Sequence, residues 1–141
     1  QGLHHRQLPA AIDLVKTFSN QAFVLDHIAK PDIKSGEIRS WEKGIKELAK
    51  ADNVMCKISG MVTEADWNSW KADDIKPYLD IIFENFTTNK LMFGSDWPVC
   101  NLAASYSQVV GVLESYITQL PAHDQHQIWY ENAKTFYNLK V

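Results

Sequence analysis

The sequence predicts an α/β protein with parallel strands, laid out as about half of a (β/α)8 barrel. Three observations carry that reading. Short apolar runs of strand length alternate with stretches of helical periodicity, which is the rhythm of βα units. The runs are nearly continuous in apolar character instead of alternating, as expected for strands covered on both faces. They begin at positions 21, 53 and 89, a spacing close to the roughly 31 residues per unit of a barrel of about 250 residues. Three such runs, with the stub of a fourth at the N-terminus, make roughly half a barrel, and we assign residues 1–141 to one domain.

Taken in order, apolar positions Leu8, Ala11, Ile12, Val15 and Phe18 share one helix face next to Pro9. The first strand follows at residues 21–26 (QAFVLD). Trp41, Ile45, Leu48 and Ala49 then mark a second helix, and residues 53–59 (NVMCKIS) a second strand. Thr63-Glu64-Ala65-Asp66 resembles a cap for a short helix carrying Trp67 and Trp70 on one face. Packing is the default role of such a pair, a lid over a pocket the sharper one. Ile75, Tyr78, Leu79, Ile82, Phe83 and Phe86 define a third long helix, with Asp73 or Asp74 as N-cap and Pro77 tolerated in the first turn. The third strand spans residues 89–95 (NKLMFGS). Tyr106, Val109, Val110, Leu113, Ile117 and Leu120 form the next helix, ended by Pro121, and a last helix carries Ile128, Trp129, Ala133, Phe136 and Tyr137.

A net charge of −3 with no dense run of Lys or Arg gives no reason to expect a nucleic acid or an anionic membrane as partner. No apolar stretch approaches the roughly 20 residues of a membrane span, and the first residues lack the layout of a signal peptide. Cys56 and Cys100 are too few for a disulfide framework and are not in CxxC spacing. A reducing, cytoplasmic setting is the expectation. The sequon at Asn85-Phe86-Thr87 lies in a helix and reads as chance.

In parallel α/β folds chemistry gathers at the C-terminal ends of strands. There the chain places Asp26-His27-Ile28-Ala29-Lys30-Pro31, Lys57-Ile58-Ser59-Gly60-Met61 and Gly94-Ser95-Asp96-Trp97-Pro98. An imidazole at His27 can polarise a carbonyl or bind a metal; the plainer role is a structural hydrogen bond. A carboxylate at Asp96 can take a proton from water or anchor a divalent ion; the plainer role is a helix cap or turn. Lys57 and Ser59 fall on the same side of their strand, for structure or substrate contact. Lys30 is a candidate for a hydroxylated or anionic substrate, against a solvated loop lysine. Trp97 offers an apolar wall or a stacking face for a sugar ring. The pairs His4–His5 and His123–His126 lack a third ligand in reach and read as surface residues.

Taken together, VLDHIAKP (24–31), CKISGM (56–61) and LMFGSDWPV (91–99), with the closing ENAKTFYNL (131–139), resemble the amidohydrolase-related lactonases. These include sugar-lactone hydrolases of the fucono- and rhamnono-lactone type and a pyrone-dicarboxylate lactonase. The resemblance runs from about Leu8 to Leu139. It implies that the strands are the sixth, seventh and eighth of a barrel, with Asp96 as the general base that activates water and His27 touching the substrate carbonyl or a metal. The implied reaction is hydrolytic opening of a lactone of a sugar acid, with Lys30, Ser59 and Trp97 contacting substrate. One divalent ion, zinc first, with His27 and Asp96 as ligands, is implied for some members; others work without metal. The family's His-x-His of strand one is absent here. The expected partners are therefore the missing N-terminal half or a second copy, besides the small-molecule lactone, and the isolated chain is expected to be inactive. A decarboxylase, a metal-dependent amidohydrolase, a non-catalytic binding module and a small open α/β sheet are the alternatives.

Overall fold

The computed structural model describes residues 4–141. Three strands, β1 (Phe23–Leu25), β2 (Val54–Ile58) and β3 (Leu91–Phe93), form one parallel sheet in the order β1-β2-β3. Val24 faces Met55 across the first pair and Lys57 faces Met92 across the second, so three strand ends stand side by side. Helices α1 (Leu8–Thr17), α2 (Arg39–Leu48), α4 (Ala72–Asn85) and α5 (Tyr106–Ile117) follow the expected alternation, with a short α3 (Met61–Glu64) after β2. The fourth-strand stub is not seen: its first three residues lie outside the described ones, and His5–Gln7 form a 3-10 turn.

The helices bury the faces that their periodicity marks. Trp41, Ile45 and Leu48 of α2 and Ile75, Tyr78, Leu79 and Ile82 of α4 are buried. Each buried Ile or Leu stabilises by roughly 1.5–3 kcal/mol. In β2 the residues Val54, Cys56 and Ile58 are buried while Met55 and Lys57 are only half-buried. The expectation of strands covered on both faces therefore fails for β2, because the helices pack against one side of it. β1 and β3 each pair along one edge only within the sheet.

Three further expectations change. Asp74 is not the N-cap of α4 but its third residue, where its carboxylate accepts a hydrogen bond from the Lys71 N–H at 2.8 Å. Pro77 is the sixth residue of α4, past the first turn; the carbonyl it leaves without its helical partner belongs to exposed Asp73, open to solvent. Trp67 and Trp70 lie in a turn after α3, not in a helix. Trp70 donates to the Ala103 carbonyl at 2.9 Å, and half-exposed Trp67 donates to the Thr63 carbonyl at 2.8 Å. Both indoles are thus tied down, as packing requires. The last helix runs as α6 (Ala122–His126), a π turn (Gln127–Glu131) and α7 (Asn132–Phe136). Asn132 explains its placement: its buried amide donates to the Thr88 and Leu91 carbonyls, each at 2.7 Å, and holds the entry to β3.

The chain leaves β1 through an unusual segment. His27, Ile28, Ala29 and Lys30 all have positive φ, at 52°, 45°, 62° and 46°. For residues with a Cβ this costs roughly 1–2 kcal/mol each, so the surroundings must impose it. Ile28 and Ala29 are fully buried. The Trp41 indole, itself without exposed surface, donates to the Ile28 carbonyl at 2.7 Å. The Lys30 N–H closes on the His27 carbonyl at 2.8 Å, and the His5 ring donates to the Lys30 carbonyl at 3.1 Å. Trp41→Phe keeps most of the volume but strands that buried Ile28 carbonyl. It should lower stability by about 1–3 kcal/mol, read as a drop in urea midpoint with an unchanged denaturant slope.

Candidate active site at the strand ends

The strand ends bring His27, Ser59 and Asp96 together. The Ser59 hydroxyl lies 2.8 Å from His27 Nδ1. His27 Nε2 lies 3.1 Å from Asp26 Oδ2 and 3.7 Å from Asp96 Oδ1. The His27 and Asp96 side chains keep only 17% and 16% of their exposure, so this crevice is nearly closed on the side the chain supplies. Both carboxylates thus stand within ion-pair distance of Nε2, Asp26 nearer than Asp96, and neither makes an aligned hydrogen bond to it. Two acceptor-only carboxylates at Nε2 favour a proton on that nitrogen, and the Ser59 hydroxyl can then donate to Nδ1. Asp96 also has positive φ, at 57°, which aims its carboxylate back toward His27 instead of along the strand. Its carbonyl accepts from the Cys100 N–H at 2.9 Å, and its side chain caps no helix.

Two glycines make room for this arrangement. Gly60 has φ of 64°, and a Cβ there would stand 2.9 Å from His27 Nδ1 and 3.0 Å from its Cβ. A Cβ on Gly94 would meet Lys57 Cδ and Ser59 Cβ at 3.0 Å.

Asp26 and Lys57 are the members that sequence reasoning underrated. Lys57 Nζ lies 3.0 Å from Asp26 Oδ1 and 5.8 Å from the centre of the Tyr137 ring. Burial disfavours the Lys57 ammonium, but the Asp26 carboxylate beside it outweighs that, with support from Tyr137. The net shift is upward. The signal was present in the sequence: Asp26 precedes His27, and Lys57 is two residues before Ser59 on the same strand face. Lys30 lies 3.5 Å from Glu64 with about a third of its side chain exposed. Trp97 is 64% exposed beside Asp96, open to a ligand or to another chain segment. His123 and His126 are exposed as expected, but His5 is half-buried against the loop that carries His27. Burial pushes the Cys56 and Cys100 thiols up, helped by the charges of Asp26 and Asp96 respectively, so both free cysteines are poor nucleophiles. A cleft of about 840 Å³ opens elsewhere, between α1 and α2, and includes Asp13, Asp32, Lys43 and Glu47. It contains neither His27 nor Asp96, and we place the site at the strand ends, where the interacting groups converge.

The sequence profile of the amidohydrolase family matches residues 2–139. The chain belongs to the amidohydrolase family. It is 38% identical to an L-fucono-1,5-lactonase of Burkholderia multivorans, over 95% of this chain and 49% of that protein. Two crystal structures of an amidohydrolase from the same organism, with bound HEPES and with bound zinc, superpose with TM-scores of 0.91 and 0.90 at 36% and 37% identity. They cover 96% of this chain and 51% and 50% of theirs. The chain thus spans about half the length of the relatives it matches. No helix among the described residues is long and apolar enough to cross a membrane.

A zinc ion needs three or four protein ligands. Among the described residues no three of His, Cys, Asp or Glu converge to hold a metal, and both ring nitrogens of His27 already have partners. The described residues do not by themselves make a zinc site.

Gly60→Ala should displace the His27 ring, read as a change in its imidazole nitrogen shifts. Gly36→Ala is the control: it shares positive φ, at 73°, but has open space at the Cβ position. Equal effects from both would assign the change to backbone strain.

Proposed function

We propose that this chain is the C-terminal half of a barrel hydrolase that opens a lactone of a sugar acid, with Asp96 as general base. The carrying observation is the Asp96 carboxylate, held at a strand end beside His27 yet tied up by no hydrogen bond from the described residues. Its resemblance in sequence to an L-fucono-1,5-lactonase supports the substrate class. A water poised by Asp96 attacks the lactone carbonyl carbon and gives its proton to the carboxylate. The tetrahedral oxyanion accepts a hydrogen bond from His27 Nε2–H, which points into the same crevice. The bond to the ring oxygen then breaks, Asp96 returns the proton to that oxygen, and the open hydroxy acid leaves. Trp97 supplies an apolar wall, and Ser59 acts on substrate through His27.

The remaining strands come from the half that this chain lacks, or from self-association, since β1 and β3 are each unpaired on one edge of the sheet. A metal held by His27 and Asp96 would need further ligands from that same half, and the steps above use none.

In the complete protein, Asp96→Asn should lower kcat for lactone opening by about 100-fold or more while leaving the unfolding midpoint unchanged. The assay is a panel of neutral sugar-acid lactones with and without chelator. Hydrolysis at the wild-type rate by the variant would remove Asp96 as the base. No hydrolysis of any lactone by the wild type, with or without zinc, would overturn the lactonase reading.

A further inference from the structure

The Asp96 carboxylate accepts no hydrogen bond from the described residues, so its aim rests on its backbone. That backbone holds a φ of 57°, which a residue with a Cβ keeps only where its surroundings impose it. Three hydrogen bonds, each of 2.9 Å, lead outward from it. The Asp96 carbonyl accepts from the Cys100 N–H, the Cys100 carbonyl from the Ala103 N–H, and the Ala103 carbonyl from the Trp70 indole. The Ala104 N–H also reaches the Cys100 carbonyl, at 2.8 Å. Among the described residues, the indole is the one hydrogen-bond donor that reaches residues 96–103 from another part of the chain.

That donor belongs to the neighbouring strand end. α3 begins next to Gly60, which makes room for the His27 ring, and the turn after α3 carries Trp70, whose N–H donates to the Asp66 carbonyl at 3.0 Å. The Trp70 ring packs against the core, and Cys100 has no exposed surface. The indole therefore ties the loop after β2 to the loop after β3. Trp67, three residues earlier, makes no such tie. Its half-exposed indole donates to the Thr63 carbonyl within its own loop.

We propose that Trp70 is a positioning residue that sets the aim of the Asp96 carboxylate through residues 100–103, an inference that rests on Asp96 being the general base. Without the indole N–H the Ala103 carbonyl loses its partner, and the loop is free to turn about Asp96. The oxygen that takes the proton then moves. Misplacement of about 1 Å imposed from a distance can lower turnover by about 100-fold.

The test has an exchange arm and a kinetic arm, both in the complete protein at a temperature where every variant is folded. Only the kinetic arm needs a lactone substrate. Trp70→Phe should speed hydrogen exchange of the Cys100, Ala103 and Ala104 amides about 2–10-fold, with the amides of β2 and α4 at wild-type protection. Trp67→Phe should leave all of them unchanged. Wild-type exchange at Cys100 and Ala103 in Trp70→Phe would overturn the proposal whatever the enzyme hydrolyses. In lactone assays Trp70→Phe should lower kcat about tenfold or more with KM within about threefold, whereas Trp67→Phe should match the wild type. An effect routed through Asp96 vanishes when Asp96 is gone. In Asp96→Asn protein, Trp70→Phe should therefore change the residual rate by less than about twofold. The same tenfold loss in that background, or full activity in folded Trp70→Phe, would overturn the proposal. If Trp70→Phe does not fold, the benzothiophene analogue of tryptophan at position 70, with sulfur in place of the N–H, carries the same expectations. Absent lactone hydrolysis in the wild type would sink the substrate reading alone and leave the exchange result to decide this one.

Discussion

The hydrogen bond from Trp41 to the Ile28 carbonyl is the contact on which the site depends. Four consecutive residues with side chains, His27 to Lys30, hold left-handed backbone angles that a free chain avoids. Something must offset that strain. Burial of Ile28 and Ala29 and the indole N–H at 2.7 Å do so together, and α2 is therefore as much a part of the site as the strand that carries His27. Without the reversal, His27 would continue along the line of β1, and its ring would not meet Ser59 on the neighbouring strand.

From that turn the chemistry follows by steps. Parallel pairing puts the ends of β1, β2 and β3 side by side. Gly60 leaves space for the imidazole, Ser59 fills one nitrogen, and Asp26 and Asp96 face the other. The two carboxylates differ in what holds them. Asp26 is locked to Lys57, whereas Asp96 is fixed mainly through its own backbone, with the Cys100 N–H on its carbonyl.

Much of this was legible beforehand, for identifiable reasons. Apolar runs fixed the three strands because a parallel strand has little room for charge, and the strand-end rule then pointed to His27, Ser59 and Asp96. The turn was not legible: nothing in DHIAKP announces positive φ, since glycine is absent and the strain is imposed by Trp41, thirteen residues on from Ile28. The ion pairs were equally hidden. The Lys30–Glu64 pair joins the loop after β1 to the end of α3, and the Asp26–Lys57 pair joins two strand ends. The Trp67–Trp70 helix failed because periodicity over four residues cannot distinguish a helix from a turn whose indoles find carbonyls.

The central claim is that α2 imposes the geometry of the site from outside it. The most direct measurement is kcat for lactone opening by Trp41→Phe, in the complete protein and at a temperature where the variant is fully folded. Trp41 reaches no reacting group, so a purely structural tryptophan predicts wild-type turnover per folded molecule. The account predicts a clear fall in kcat with KM little changed, because the loop relaxes and His27 drifts from Ser59. Turnover equal to wild type would contradict it.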